Sequence, residues 1–348
     1  MTTSLPADRP ALSVVIVNWN GRTLLARCLA ALLPQLTTVD QVIVVDNGSH
    51  DDSVAWLRQH HPDVMCLALA ENTGFSGGNN AALPLCTHEW LFLLNNDAFV
   101  EPGAVAALTA CIGSDPRLGA IAATLVFDHA PDLVASNGIT LRHDGVALDH
   151  DMTKPVAALP ATPFAVAGVS GGAALLRRAM IDDVGLFPAD FFNYLEDVDL
   201  AWRMRLRGWQ SLSCPTAVIR HVYSATSGQG SAFKHRLLGR NRWRTLIRCL
   251  PDAQWRRHWP VIVRYELSAC LVLLLRGQWA GVWGRLTNLG DLATLRVQRA
   301  AIQSHKTATS ADIEHWLAPA PWPWEEYREL RRLDTIMAER RTASQRGD

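Results

Sequence analysis

Trp90-Leu91-Phe92-Leu93-Leu94-Asn95-Asn96-Asp97 is a wholly apolar run that stops abruptly in three polar residues. A short apolar run of this kind reads as a strand covered on both faces. Burying the carboxylate of Asp97 at its tip is costly unless it is paired or metal-bound. The same pattern recurs upstream. Leu12-Ser13-Val14-Val15-Ile16-Val17 leads into Asn18-Trp19-Asn20, Gln41-Val42-Ile43-Val44-Val45 into Asp46-Asn47-Gly48-Ser49, and the strand 64–69 into Glu71-Asn72. Between them lie a helical pattern with Leu24, Leu25, Cys28, Leu29, Leu32 and Leu33 on one side, a helix starting near Asp51, and a short helix over 78–85. Strands alternating with helices predict a mainly parallel sheet with right-handed crossovers. Such sheets bind ligands beyond the carboxyl ends of their strands. The four polar clusters fall there, which argues for one site.

A second run, Tyr194-Leu195-Glu196-Asp197-Val198-Asp199-Leu200-Ala201-Trp202-Arg203, sets acids at the start of a predicted helix. Acids there favour the helix dipole by roughly 0.3–1 kcal/mol each, which explains the charge but not the apolar Phe191, Phe192, Tyr194 and Leu195 before it. An apolar wall raises a carboxylate's proton affinity, as a general base requires. With Asp97 as a metal carboxylate, the pair suggests a metal-assisted transferase acting on a phosphorylated donor. A hard cation, Mg2+ or Mn2+, needs few protein ligands when diphosphate oxygens complete its shell. His221, ending the run Ala217-Val218-Ile219-Arg220, is a candidate further ligand, although a lone histidine is more often structural.

Asp46-Asn47-Gly48-Ser49 reads either as a tight turn or as a strand tip whose Asp46 accepts the imide N–H of a pyrimidine. Asn72-Thr73-Gly74-Phe75-Ser76-Gly77-Gly78-Asn79-Asn80 is either a flexible loop or a segment whose glycines and helix-start amides approach ribose or phosphate oxygens.

The chain has 348 residues, 49% hydrophobic and 19% charged, enough for one large domain with an appendage or two modest domains. A formal net charge of +0 offers no global field for nucleic acid. The seven cysteines are scattered with no C-x-x-C spacing, so reduced, buried thiols are expected rather than disulfides or a zinc site. Met1–Pro10 lacks the apolar core of a secretory signal. The stretch 113–168 is hard to read: 121–127 and 139–141 suggest strands, and 144–163 looks like a mobile loop. Gly168-Val169-Ser170-Gly171-Gly172 opens another apolar run, Ala173 to Leu176.

In this order, Val15-Ile16-Val17-Asn18-Trp19-Asn20, Val45-Asp46-Asn47-Gly48-Ser49, the 72–79 segment, Leu94-Asn95-Asn96-Asp97, Gly171-Gly172 and Glu196-Asp197-Val198-Asp199-Leu200-Ala201-Trp202-Arg203 resemble the motifs of family 2 glycosyltransferases, most of all the rhamnosyltransferase-type branch. The resemblance spans roughly 12–227. It implies an α/β fold of GT-A type, a nucleotide-binding sandwich with a mainly parallel central sheet, followed by a helical extension. It also implies inverting transfer from a nucleotide sugar, with Asp197 as base and Glu196 its neighbour. The donor set is Val17, Asn18, Asn20, Asp46, Gly48, Asn72, Gly74, Phe75, Asn79, Asn96, Asp97, Gly171 and Gly172, with the two glycines beneath the sugar. Asp97 matches the last residue of the family's D-x-D, whereas Asn95 stands in the first place. The metal set is therefore Asp97 and His221, and His221-Val222-Tyr223-Ser224-Ala225-Thr226-Ser227 resembles the family's downstream histidine segment. By resemblance the donor is dTDP-L-rhamnose, with UDP-sugars close behind. The acceptor is a glycan or polyprenyl-diphosphate-linked sugar in cell-envelope polysaccharide synthesis. The rival readings are a nucleotidyltransferase, which wants basic residues straight after the first strand, and a non-catalytic nucleotide-sugar binding protein.

The expected division is a catalytic domain over 1–230, a Trp/Arg-rich helical extension over 231–303 and a charged tail over 304–348. Between Lys234 and Arg264 seven interior arginines face one acid, Asp252, and tryptophans 243, 255, 259, 279 and 283 are interleaved or follow. Such helices lie in a headgroup layer, pack as a bundle on the catalytic domain, or join a homodimer. The most apolar segment, Leu267 to Leu275, falls short of the roughly 20 residues of a spanning helix. The expectation is a cytoplasmic protein, peripheral on the inner face of the cytoplasmic membrane.

Overall fold

The computed structural model describes residues 9–222, 231–328, 331–333 and 335–336. The strands are β1 Leu12–Asn18, β2 Gln41–Asp46, β3 Met65–Ala68, β4 Trp90–Asn95, β5 Ala98–Val100, β6 Leu118–Phe127, β7 Ala130–Ser136, β8 Ile139–Arg142, β9 Ala147–Asp149, β10 Phe164–Ala165, β11 Ala173–Arg177, β12 Gln210–His221 and β13 Leu317–Ala318. The helices are α1 Arg22–Leu32, α2 Ser53–His60, α3 Gly74–Ala82, α4 Ala104–Ala110, α5 Arg178–Val184, α6 Glu196–Leu206, α7 Ala232–Cys249, α8 Asp252–Leu275, α9 Trp279–Leu286, α10 Leu292–Ser304 and α11 Ser310–His315.

The main sheet runs β10-β12-β6-β11-β4-β1-β2-β3, with β5 joined to β12 and β7 to β6. Its β4-β1-β2-β3 half is parallel throughout. Beside it β11 runs antiparallel between β4 and β6. Alternation along the strands divides the core. Val14, Ile16, Val44 and Phe92 face α1 and α4, while Val15, Ile43, Val45 and Leu91 face α5 and α6. Both faces being covered explains why these strands read as unbroken apolar runs.

Two local expectations change. The stretch 144–163 is not a free loop: it holds β9, a 3-10 turn at Val156–Ala158, and main-chain bonds from Thr153 to Val134 (2.7 Å) and from Val134 to Lys154 (2.9 Å). β9 pairs antiparallel with β8, and residues 153–155 meet β7, a pairing distant in sequence that leaves no periodic mark. The helix expected over 78–85 starts earlier, at Gly74, and gives way to a 3-10 turn at Leu83–Leu85. Poor helix formers at its start hide it in the sequence.

The helical extension shares a core with the catalytic half. Ile139, Leu141, Val198, Ala201 and Trp202 pack with Leu246, Cys249, Ile262, Ile313 and Leu317, and β13 adds itself to β8. Of the arginines that look like headgroup ligands in sequence, Arg242, Arg244 and Arg248 turn inward, while Arg236, Arg256 and Arg257 stay exposed. Arg242 meets Glu266 at 2.5 Å, Arg244 pairs with Asp190 and Asp291, and Arg248 reaches Asp199 at 3.5 Å. Helix α8 is inside-out: Gln254, His258, Ile262 and Glu266 form its buried stripe, whereas Trp259, Val263, Leu267, Leu271 and Leu275 are exposed. At 24 residues it is also long and apolar enough to cross a membrane, which the nine-residue run 267–275 did not suggest.

Leu246→Ala is expected to cost about 2–5 kcal/mol and to leave one cooperative urea transition, read by tryptophan fluorescence and circular dichroism. Two separated transitions, or a loss below about 1 kcal/mol, would show that the extension folds as its own unit.

Candidate active site

The parallel strands deliver their polar tips to one cleft of about 530 Å³. Asn95, Asn96 and Asp97 enter from the end of β4. Gly171 and Gly172 enter just before β11, where the Asn95 N–H donates to the Gly172 carbonyl at 3.0 Å. His221 arrives from the far end of β12, which pairs antiparallel with β5 so that His221 sits opposite Ala98, next to Asp97. Its Nε2 lies 3.1 Å from Asp97 Oδ1, and the Asn95 amide lies 3.4 Å from the same nitrogen. Residues 223–227 of the histidine segment lie outside the described residues.

Asp197 opens on the cleft from the first turn of α6. The Gly171 N–H donates to its Oδ2 at 3.0 Å and the Val198 N–H to its Oδ1 at 2.8 Å. Burial pushes its carboxyl above the usual range, against the pull of those two amides. Burial, and then the charge of Asp197, push Glu196 well above the usual carboxylate range. Glu196 Oε2 has no hydrogen-bond partner. Asp197 thus has two backbone donors on its carboxyl in the cleft, whereas one oxygen of Glu196 has none. A side chain on Gly171 would come within 3.0 Å of the Phe75 ring, so glycine keeps this wall thin.

Of the residues singled out in the sequence, Val17, Asn72, Gly74, Phe75, Asn96, Asp97, Gly171, Gly172, Glu196, Asp197 and His221 line the cleft; Asn18, Asn20, Asp46, Gly48 and Asn79 do not. Asn18 and Asp46 lie beneath it in a polar relay: Asn96 donates to Asn18 at 2.8 Å, and Asn18 to Asp46 at 3.3 Å. The Ser49 N–H takes the other oxygen of Asp46 at 3.0 Å. Gly48, at φ +73°, lets this turn pass against the backbone of Glu71. Asn79 donates to the Phe75 carbonyl at 2.9 Å inside α3, and Asn20 takes the His50 N–H at 2.7 Å.

Sequence reasoning passed over Trp19, Asn47, Asn193 and Lys234, all on the wall. Asn47 is the organiser of the start of α3: it donates to the Asn72 side chain (3.1 Å) and the Gly74 carbonyl (2.9 Å) and accepts from Thr73 N–H (2.9 Å). Lys234, from the start of α7, sits 5.4 Å from the centre of the Tyr194 ring, and burial lowers its proton affinity. Asn241 was missed altogether, one asparagine in an arginine-rich helix. It is fully buried, and its amide donates to the carbonyls of Phe191 (3.1 Å), Asn193 (2.9 Å) and Tyr194 (2.8 Å). The loop it holds is strained. Phe192, Tyr194 and Leu195 all have positive φ, and Phe192 (φ 65°, ψ −65°) centres a γ-turn closed by Asn193 N–H to Phe191 O at 2.8 Å. Such conformations cost of order 1–3 kcal/mol each and persist only when surroundings enforce them.

The donor set fits a divalent cation. Asp97 is 7% exposed beside an imidazole 12% exposed, and an amide stands in reach. One carboxylate, one imidazole and an amide oxygen are few ligands, leaving positions for phosphate oxygens, the arrangement Mg2+ and Mn2+ accept.

A mainly parallel sheet covered on both faces, with a carboxylate–imidazole pair and a backbone-held carboxylate at one strand-end cleft, is an architecture of GT-A type. A family model described as "Glycosyltransferase like family 2" matches residues 10–245. The chain belongs to that family, and it is a glycosyltransferase. An N-acetylglucosaminyl-diphospho-decaprenol L-rhamnosyltransferase of Mycobacterium tuberculosis is 27% identical over 248 residues, 64% of this chain and 79% of that protein. A poly-beta-1,6-N-acetyl-D-glucosamine synthase of Staphylococcus aureus is 22% identical over 197 residues, 54% of this chain and 44% of that protein. Among solved structures, the mannosyltransferase PcManGT of Pyrobaculum calidifontis, in complex with GDP-Man and Mn2+, is similar with TM-score 0.51 and 17% identity, over 89% of this chain and 79% of that one. GalNAc-T7 with UDP, GalNAc and Mn2+ gives TM-score 0.57 and 14% identity over 69% of this chain; the chain spans about half, 48%, of that protein. These last two carry the fold.

Asn241→Ala is expected to lower kcat by about 10²-fold, the cost of misplacing a base by an ångström, while donor KM changes by less than about threefold. A parallel loss in both constants, or a lowered melting temperature with kcat intact, would make Asn241 a packing residue only.

Proposed function

We propose that this chain is an inverting, metal-dependent rhamnosyltransferase that moves L-rhamnose from dTDP-L-rhamnose onto a polyprenyl-diphosphate-linked sugar in cell-envelope polysaccharide synthesis. The observation that carries the chemistry is Asp197, held by two backbone amides in the cleft that also receives Asp97 and His221. The rhamnosyltransferase relative supports the donor and the lipid-linked acceptor. So does the apolar wall of Leu125, Ala135 and Ile139, which suits the C6 methyl of a 6-deoxy sugar better than a hydroxymethyl group.

In this reading the nucleotide lies at the β1–β2 end, over Val17, Asn47, Asn72 and Phe75. Asp46 takes the imide of the base from beneath. Each of its oxygens accepts one bond within the protein, and a carboxylate has about four acceptor positions. Asp97 and His221, with Asn95 beside them, would hold the cation, which would offset charge growing on the departing diphosphate. Lys234 adds one positive charge at the opposite lip. Asp197 removes the proton of the acceptor hydroxyl. That oxygen bonds to the anomeric carbon as the carbon–oxygen bond to the nucleoside diphosphate breaks, so the configuration inverts. A positioned base supplies about 10²–10⁴-fold. Glu196, neutral, keeps a second negative charge away from the incoming hydroxyl.

The exposed apolar face of α8 and α9, with Leu267, Leu271, Leu275, Trp279 and Trp283, supports attachment to the lipid surface where such an acceptor resides. The nucleotidyltransferase reading is disfavoured by Asn18-Trp19-Asn20-Gly21, in which no cation stands between β1 and the helix start at Arg22.

Asp197→Asn is expected to lower transfer at least about 10²-fold with donor affinity unchanged within about threefold. In the wild type, kcat should fall on the acid side as Asp197 takes up a proton. Because burial raises its affinity for that proton, the fall should centre above the ordinary carboxylate range. A panel of dTDP- and UDP-sugars, read by released nucleotide with Mn2+ and then with chelator, checks donor and metal together. Release from dTDP-rhamnose that survives chelation, or survives Asp197→Asn, would overturn the mechanism. For the surface, the full chain should sediment with anionic vesicles, and Leu267→Glu/Leu271→Glu should weaken this by about tenfold. Full recovery of the wild type in the supernatant would remove the membrane from the proposal.

A further inference from the structure

We propose that His143, His258 and Glu314 form a zinc site that staples the helical extension to the catalytic half, apart from the cleft. The ligands come from three separate elements: His143 from the turn between β8 and β9, His258 from the buried stripe of α8, and Glu314 from α11. Their donor atoms all lie within 4.8 Å of one another. His258 Nε2 is 3.0 and 3.1 Å from the two oxygens of Glu314, and His143 Nε2 is 3.3 Å from Oε1. Ligands of a tetrahedral zinc with bonds of 2.0–2.1 Å stand about 3.4 Å apart, so these separations need little adjustment. The two imidazoles stack with centroids 4.3 Å apart and planes 9° from parallel, both presenting Nε2 to the same carboxylate; a modest turn of each ring converges them on one ion. Two imidazoles and a carboxylate are a zinc donor set that leaves the fourth position for water.

The surroundings are rigid and accessible. The His143 N–H donates to the Ala318 carbonyl at 2.9 Å, fixing the turn to β13. One turn before His258, Gln254 donates to Ser310 O and Oγ at 3.1 and 2.8 Å, tying α8 to the start of α11. A capping box of Thr309 and Asp312 fixes that helix start. Burial, then the adjacent His258, lower the proton affinity of His143, which favours the neutral, ligating imidazole. The His143 and Glu314 side chains are 26% and 22% exposed, so an ion has an entry path. Arg257, 3.5 Å from Glu314 Oε1, is 68% exposed and free to swing into solvent as the ion enters. The hairpin so held carries Leu148 and Asp149 to the cleft, so the ion would steady that wall as well.

The test uses the full chain carrying Asp97→Asn, which silences the cleft, purified with chelator and then dialysed. Zn2+ should bind at one equivalent by calorimetry and raise Tm by about 5 °C at saturation. Co2+ should give the visible bands of a tetrahedral site. His143→Gln, on a part-exposed turn, should keep the far-ultraviolet spectrum of the parent and lose both the Tm shift and the Co2+ bands; Glu314→Gln should do the same. No metal-dependent shift, or a shift and bands that survive His143→Gln, would overturn the site and leave a metal-free hydrogen-bonded clamp.

Discussion

The amide of Asn241 is the constraint on which the active site rests. It offers two hydrogens to three carbonyls of the loop before α6, and it does so from a helix outside the main sheet. The loop cannot relax into an ordinary conformation without orphaning buried carbonyls, each worth roughly 1–3 kcal/mol. Held this way, Leu195 in the left-handed region launches α6 so that Asp197 meets the Gly171 amide. Arg240 adds two further bonds to the same stretch, at the carbonyls of Asp190 and Phe191. The extension therefore holds the loop that leads into α6, which agrees with the core it shares around Trp202.

The contrast between Glu196 and Asp197 follows from the same placement. Glu196 is buried and Asp197, its neighbour in the chain, is half-buried, yet only Asp197 receives two amide hydrogens from Gly171 and Val198. In a medium that disfavours charge, the group with donors ionises first and its field keeps the other neutral. A protonated Glu196 is compatible with burial, whereas two ionised neighbours in this setting would not be. Linkage then gives Glu196 a definite sign: its raised proton affinity in the folded state makes it a source of stability at low pH that is lost as pH rises.

Much of this was legible in the chain. The strands β1, β2 and β4 announce themselves because both their faces are covered, and their polar tips mark where ligands go. Asp97, His221 and Asp197 stand out because a charged or titratable group follows an apolar run. What stayed hidden depends on partners distant in sequence. Asn241 has no local signature, since its role exists only once α7 lies against the loop after Phe191. The arginines of α7 read as a basic surface because composition cannot show that Glu266, Asp190, Asp291 and Asp199 face them. Thr153 and Lys154 read as loop because their hydrogen-bond partner is Val134, on another strand.

Helix α8 carries this lesson furthest. Its apolar residues suggest a face that packs inward, but the inward stripe is Gln254, His258, Ile262 and Glu266, three of them polar. Glu266 is compensated by Arg242 and by Arg285 at 2.7 Å, and its carboxyl is held below the usual range against the cost of burial. His258 and Gln254 are likewise matched by Glu314 and Ser310. With the polar side satisfied within the protein, Leu267, Leu271 and Leu275 stay exposed among the described residues. Exposing a continuous apolar face to water is a standing cost that burial in an acyl layer removes, at about 25 cal/mol per Å².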